Sequence, residues 1–597
     1  MEIQEKIKKE IIQVFEDEFN YKCSIDNINI DQTPKNFDGL YTLILFPHLK
    51  HLKENLNEVG KKIGDALNNK SAIISSYNQV KGFLNFDIKT EYLLDVFKSI
   101  LNQKKLKEVS KKNKEIIVEF SSPNTNKPLH LGHLRNIFLG DSISKIYEAL
   151  GYKVHKVQII NDRGIHICKS MVAWSKFGAG KTPDSEKLKG DKFVGDFYVK
   201  FEKELKKEIK KLCEKGLTED DALKQSKLML EAKSYLKKWE SGDDEIIKLW
   251  KKMNNWVYDG FDKTYKSLNV KFDKNYYESS TYLLGKKNVD QGLSKKIFYK
   301  EKDNSVWIDL KKENYDKKLL IRSDGTSVYM TQDIGTAIKR FEDYPKSEKQ
   351  IYTVGNEQDY HFKVLFKILD KLGYSWAKEC YHLSYGMIDL PDGKMKSREG
   401  TVVDADELIT LMKETAKNRT VELGKIDDFD SKDLERLYNI IALSALKYHL
   451  LKVDPRKSML FNPEESIDFQ GNTGPFIQYT YARIQSILKR AKMLKIDFKG
   501  LNFDNVNKLS VNEKRIIDLI LKHRNNLKKS AETYSPSILC NYVYDLSKTY
   551  NSFYQDEKIF DGKNNETTSF KIALSDMTSS VIKESLNTLG MDVVNKM

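Results

Sequence analysis

The alternation of apolar and polar positions divides the chain into three stretches of different character. Over roughly the first 110 residues helical and strand-like periods alternate. Glu2 to Phe19 and Leu52 to Leu67 carry apolar residues at helical spacing. Tyr41 to Phe46, closed by Pro47, and Gly82 to Ile88 are β-rich runs. After a Lys-rich linker around 101–114 come a strand at Ile116–Phe120, a loop, a helix from about His133 to Leu150 and a strand at Lys153–Ile160. That β-loop-helix-β unit opens a nucleotide-binding α/β domain. Residues ~175–255 pair Glu with Lys four positions apart, the mark of solvated helices. Apolar runs at Val306–Ile308, Lys318–Ile321, Gln350–Val354 and Cys380–Tyr385 predict further parallel strands. From about residue 405 the pattern is helical, with no convincing strand. The expected fold class is α/β: a small α/β domain at 1–110, a parallel-sheet core at 111–454 with a helical insertion at ~175–255, and an all-α domain at 455–597.

Composition narrows the classes. The 597 residues hold 101 Lys+Arg against 86 Asp+Glu, a net +15 that suits a polyanionic partner. Lysine bias explains it equally well, since only 12 of the basic residues are arginine. No run of 18 apolar residues exists, so no transmembrane helix is expected. The acidic, mixed start Met1–Glu10 resembles neither a secretory signal nor a transit peptide. Five scattered cysteines (Cys23, Cys168, Cys213, Cys380, Cys540) form no Cys-x-x-Cys pair, which fits a reducing cytoplasm.

Two loops carry candidate chemistry. Ser121 to His133 joins the first core strand to its helix, where ligands bind at the carboxyl edge of an open parallel sheet. The helix N-terminus attracts phosphate. Gly132 lets a flat ring approach the backbone, and His130 and His133 can donate hydrogen bonds to phosphate oxygens as charge develops. By themselves two histidines three apart read equally as a chance surface pair. A metal site is the weaker alternative, because no glutamate stands between them and no cysteine is near. Asp392 to Thr401 is a second, lysine-bearing loop; alone it reads as a solvated turn, but Lys394 could clamp a triphosphate.

His130-Leu131-Gly132-His133 followed by Lys394-Met395-Lys396-Ser397 resembles the two signatures of class I aminoacyl-tRNA synthetases. Five strings in order are similar to the arginyl-tRNA synthetase branch: Ser122 to Asn136, Asn161 to His166, Arg322 to Ser327, Val354 to Phe362 and Gly471 to Pro475. The resemblance spans nearly the whole chain. It implies a Rossmann-like catalytic core, an N-terminal added domain that leans on the tRNA elbow, and an all-α anticodon-binding domain. The implied activity is ATP-dependent ligation of L-arginine to tRNA(Arg) through an arginyl-adenylate, with release of AMP and pyrophosphate. Mg²⁺ would enter with ATP, and no dedicated metal ligands are visible. A monomer that needs tRNA to activate arginine is also implied.

By the same resemblance, the catalytic groups are Lys127, His130, His133 and Lys394. ATP would meet Pro123, Asn126, Lys127, His130, Gly132, His133, Gly355, Glu357, Met387, Lys394, Met395 and Ser397. Ser397 stands where the usual second signature lysine would be. Lys127 and Lys396 are rival replacements, with Lys127 favoured. The arginine pocket would comprise Glu119, Ser122, Asn124, Tyr329, Asp333 and Gln358, because a guanidinium is best matched by bidentate acids. Asp333 would face the guanidinium, with Glu119 and Asn124 near the α-amino end. Without the motifs, a strand-end Glu119 reads as a surface or cap residue.

tRNA would be held by Asn472, Thr473, Phe476, Tyr479, Arg483, Lys489 and Arg490. Between Tyr479 and Ser530 stand 13 Lys/Arg against 4 Asp/Glu. Basic groups with aromatics suit single-stranded RNA, although Phe476 and Tyr481 fit a helical core equally. The other readings are a class I synthetase for lysine or glutamate, and an inactive RNA-binding paralogue. A glutamate pocket would need a cation where Asp333 and Glu119 stand. Retention of Lys127, His130, His133 and Lys394 opposes the inactive paralogue.

Overall fold

The computed structural model describes residues 3–34, 36–102, 112–389, 403–422, 429–499, 503, 505–560 and 565–597. Strands β1 (Ile30–Gln32), β2 (Tyr41–Ile44), β3 (Ile74–Val80) and β4 (Phe83–Ile88) form an antiparallel sheet in the order β1-β2-β4-β3. The helices Ile3–Phe19 and Leu56–Lys70 cover it, burying the apolar rows Ile3, Ile7, Ile11 and Val59, Ile63, Leu67. This sheet is docked onto a C-terminal helix, Val511–Glu532. Lys514 Nζ reaches Asp87 at 2.7 Å, Arg515 donates to the Thr33 carbonyl at 2.7 Å, and Tyr41 donates to Asp518.

The core sheet is parallel throughout. Its strands are β5 (Glu115–Glu119), β6 (Lys153–Ile160), β7 (Lys274–Tyr277), β11 (Ser347–Gly355) and β12 (Cys380–Tyr385), in the order β12-β11-β5-β6-β7. The order reverses beside β5, so the carboxyl ends of β5 and β11 open the crevice where such sheets bind ligands. Ser122, Asp162, Glu278, Glu357 and Met387 all follow a strand end on this one edge. Helix Leu131–Ala149 crosses from β5 to β6. Its Gly140 lies so close to β5 that a Cβ there would stand 2.3 Å from Phe120 Cβ. Overpacking of this kind costs about 1–3 kcal/mol, so Gly140→Ala should lower the midpoint of thermal unfolding; an unchanged midpoint would deny this contact its role.

Two of the apolar runs expected in the parallel sheet belong elsewhere. β8 (Tyr299–Lys300), β9 (Val306–Ile308) and β10 (Lys318–Ile321) form a separate antiparallel sheet, in the order β10-β9-β8. Only nine residues join β9 to β10, whereas a parallel pair needs a crossover of about a dozen or more. The expectation of no strand beyond residue 405 also fails. β13 (Ile388–Asp389) pairs in parallel with β14 (Met459–Leu460), too short to show a period in sequence. The remaining C-terminal elements are helical, chiefly Ser431–Leu451, Gly474–Met493, Val511–Glu532, Pro536–Asp556 and Asn565–Thr588. Among the described residues no helix is long and apolar enough to cross a membrane.

Candidate active site

The loop after β5 is held in an unusual backbone. Ser121 and Ser122 have φ of +69° and +46°, a conformation that costs about 1–3 kcal/mol at a non-glycine residue. Surrounding bonds compensate. Asn136 accepts from the Ser121 amide and donates to the Thr353 carbonyl at 2.7 Å, while the Ser121 hydroxyl lies 2.7 Å from that of Tyr265. The amides of Asn161 and Thr125 bond to the carbonyls of Pro123 (2.9 Å) and Asn161 (3.1 Å), stitching the loop to the end of β6. Pro123 and Asn126 are buried, and among the described residues Asn126 Oδ1 has no hydrogen-bond partner.

The histidines cap their own helix. His130 Nδ1 accepts from the Gly132 amide at 3.2 Å, and His133 Nδ1 accepts from the His130 amide at 3.1 Å. An imidazole that accepts at Nδ1 carries its proton on Nε2. Burial, then the Lys127 charge, pushes His130 down to about 3. Burial, then His130 and Lys127, pushes His133 well below the ordinary histidine range. Both rings are therefore neutral near pH 7, with the Nε2–H left as donor, and their centroids are 3.9 Å apart. Burial also pushes the Lys127 ammonium down. Gly195, on the inserted helix Gly190–Cys213, packs beneath it; a Cβ there would lie 2.7 Å from Pro128 Cδ. Lys127 makes no ion pair among the described residues. Among the described residues, a Cβ added at Gly132 would meet only the His130 ring.

Lys394, Met395, Lys396 and Ser397 lie outside the described residues. The chain that follows them, from Val403, is anchored near the histidines. Ala405 N donates to the Leu129 carbonyl at 2.9 Å and Leu131 N to that of Val403 at 3.3 Å. Gly355 is buried at the end of β11; Glu357 and Met387 are exposed on the same sheet edge.

Across the crevice stand the acids. Tyr329 and Asp333 lie one turn apart on helix Tyr329–Asp343, facing outward: Tyr329 is 75% exposed. His361 Nε2 lies 2.6 Å from Asp333 Oδ2 and orients that carboxylate. Asn124 and Gln358 are exposed. Glu119 departs from the expectation of a carboxylate free for ligand. It is 5% exposed, paired with the buried Arg340 guanidinium, and accepts from the Ser122 hydroxyl at 3.1 Å. Arg340 reaches it from 221 positions away, so no local pattern announces the pair.

No motif in the sequence marks Glu278, which follows β7 on the same sheet edge. Burial pushes its carboxyl up to about 7; Arg163 opposes the rise, while Asp162 and Asp333 reinforce it. Asp162 sets its position, accepting from the Ser279 amide (2.8 Å), the Ser279 hydroxyl (2.7 Å) and Tyr258 (3.0 Å). Two carboxylates, Glu278 and Asp333, thus share one electrostatic environment at the sheet edge. Among the described residues no three His, Cys, Asp or Glu side chains form a metal-binding group.

The chain matches three family models in succession: "Arginyl tRNA synthetase N terminal domain" over 1–88, "tRNA synthetases class I (R), catalytic domain" over 96–462, and "DALR anticodon binding domain" over 477–597. The chain belongs to the arginyl-tRNA synthetase family. It is 50% identical to an arginine–tRNA ligase of Flavobacterium psychrophilum, over 99% of this chain and 98% of that one. It is 48% identical to the ligase of Bacteroides thetaiotaomicron over the full length of both. The arginyl-tRNA synthetase of Thermus thermophilus shares the fold across the whole of both chains, at a TM-score of 0.73 and 22% identity.

In this arginyl-tRNA synthetase chain, several residues expected at the tRNA have other work. Thr473 is 3% exposed; its hydroxyl donates to the Asp468 carbonyl and caps helix Gly474–Met493, accepting from Phe476 N at 3.2 Å. Asn472 Oδ1 accepts from the Tyr448 hydroxyl at 2.6 Å, and Phe476 packs half-buried on the core. Tyr479, Arg483 and Arg490 instead share one helix face lining a recess of about 620 Å³. The Arg483 guanidinium lies 5.0 Å from the Tyr479 ring and 4.8 Å from Tyr554, and that of Arg490 4.6 Å from Phe560. Lys596 and Met597 complete the recess; Lys489 is exposed outside it.

Proposed function

We propose that the chain ligates L-arginine to tRNA(Arg) at the expense of ATP. The observation that carries this is the division of the crevice. One side offers a helix N-terminus with two neutral histidine donors and Lys127. The other offers the carboxylates of Asp333 and Glu278. Phosphate suits the first side and a guanidinium the second.

In the first step the arginine carboxylate attacks the α-phosphorus of ATP and pyrophosphate departs. The Nε2–H groups of His130 and His133 and the ammonium of Lys127 hold the phosphates where charge develops. Lys394 joins them from the second signature. Mg²⁺, carried on the ATP phosphates, would neutralise part of their charge. In the second step a ribose hydroxyl at the tRNA 3′ end attacks the adenylate carbonyl and AMP leaves. Asp333, held by His361, and Glu278 read the guanidinium; Tyr329 flanks the aliphatic stem. The reading treats 1–110, 111–454 and 455–597 as working units of a cytoplasmic monomer. Charging of tRNA with each labelled amino acid in turn tests it. Arginine alone should be accepted; charging with lysine or glutamate, or with none, would overturn it.

The recess around Arg483 suits an unstacked anticodon base, since cationic and aromatic groups line it together. Loss of one such stacking contact costs about 1–3 kcal/mol. Arg483→Ala should therefore weaken tRNA binding about tenfold at fixed salt and leave the arginine KM unchanged. Filter binding reads the affinity, and wild-type affinity in the variant would remove the recess from the tRNA surface. Affinity should also fall steeply with salt, as phosphate contacts require.

A further inference from the structure

Arg135 stands two residues after His133 on helix Leu131–Ala149 and is 1% exposed. Nη1 donates to the carbonyls of Gly386 (2.7 Å) and Met387 (3.2 Å). Nη2 donates to those of Pro455 (3.1 Å) and Lys457 (2.7 Å). Among the described residues no carboxylate pairs with it. A buried guanidinium is costly to desolvate, and here its two terminal nitrogens are spent on four backbone oxygens from two distant segments.

Those segments touch each other as well. Gly386 N donates to the Pro455 carbonyl at 2.9 Å. A Cβ at Gly386 would stand 2.6 Å from both Lys457 C and Ser458 N, so only glycine permits the approach. Beyond this crossing the segments run on together as β13 and β14. The first segment leads to Asp389, five residues before Lys394 in sequence. The second leads into the helices that carry the Arg483 recess.

We infer that Arg135 is a positioning residue for the reaction. Its planar fork fixes the root of the second signature segment, and the first turn of the helical domain, to the helix that bears His130 and His133. The inference rests on the phosphate reading given above. A lysine keeps the charge but is a point donor on a flexible stem, unable to hold both segments in one plane. Misplacement of reacting groups by about 1 Å costs about 10²-fold in rate.

The test compares full-length Arg135→Lys and Gly386→Ala with wild type, and with Lys394→Ala as reference. Gly386→Ala wedges the same two segments apart while leaving Arg135 in place, so it carries the test if Arg135→Lys does not fold. The readouts are the thermal midpoint and the kcat and arginine KM of charging. Folded Arg135→Lys and Gly386→Ala should lose about 10²-fold in kcat and keep the wild-type arginine KM, a split that general loosening would not produce. Wild-type kcat in these folded variants beside an inactive Lys394→Ala overturns the inference alone. A kcat loss matched by a proportional rise in arginine KM also overturns it. Wild-type kcat in Lys394→Ala overturns the phosphate reading on which it rests.

Discussion

Lys127→Ala should slow arginyl-adenylate formation by about 10²–10³-fold, the usual cost of removing one preorganised charge-stabilising group. The arginine KM should stay near wild type. Lys127 stands three residues before His130, and its charge depresses both histidines. Those histidines are neutral donors, so they supply hydrogen bonds and no full charge. On the proposed reading, the positive charge for departing pyrophosphate would fall to Lys127 and Lys394. Burial strengthens the interactions the Lys127 charge makes, because electrostatic interactions grow as water is excluded. Lys396→Ala should be mild by comparison. Single-turnover adenylate formation measures both, and a Lys127→Ala rate equal to wild type would transfer the role to Lys396.

The second large effect concerns the acids. Asp333→Asn and Glu278→Gln should each raise the arginine KM by about 30-fold or more, since truncating one partner of a charge pair costs about 2–5 kcal/mol. ATP binding should hardly change. Glu278 adds a pH dependence. A carboxyl raised to about 7 is half protonated near neutrality, and only its ionised form pairs with a guanidinium. Asp162 and Asp333 disfavour that ionised form, whereas Arg163 and a bound arginine favour it. The arginine KM should accordingly rise as pH falls from about 8 to 6, approaching tenfold per pH unit once below 7. In Glu278→Gln that slope should vanish. A wild-type KM flat across this range would deny Glu278 its part in the pocket.

The sequence announced the elements that local periodicity and punctuation define. The β5-loop-helix-β6 unit, the signature histidines and most of the C-terminal helices were legible because each is written in contiguous residues. What depends on partners far along the chain was not. From its own string Glu119 reads as a strand-end surface or cap residue, because nothing near it reveals Arg340. Thr473 looked available to RNA because its capping role needs the helix that follows to be seen in place. The strands β9 and β10 carried the right composition, but apolar runs do not state whether their neighbours run parallel. Glu278 was invisible because its distinctive property comes from burial beside Asp162 and Asp333, not from its local string. Asp333 and Gln358 are singled out by the resemblance alone, since no spacing marks them.

The central claim is that one crevice keeps phosphate chemistry and guanidinium recognition on separate groups. Steady-state charging kinetics of Lys127→Ala and Asp333→Asn, run side by side, test it most directly. The expected pattern is crossed: Lys127→Ala loses kcat and keeps its arginine KM, while Asp333→Asn raises the arginine KM and keeps most of its kcat. Both variants moving the same constant, or neither moving any, would contradict it.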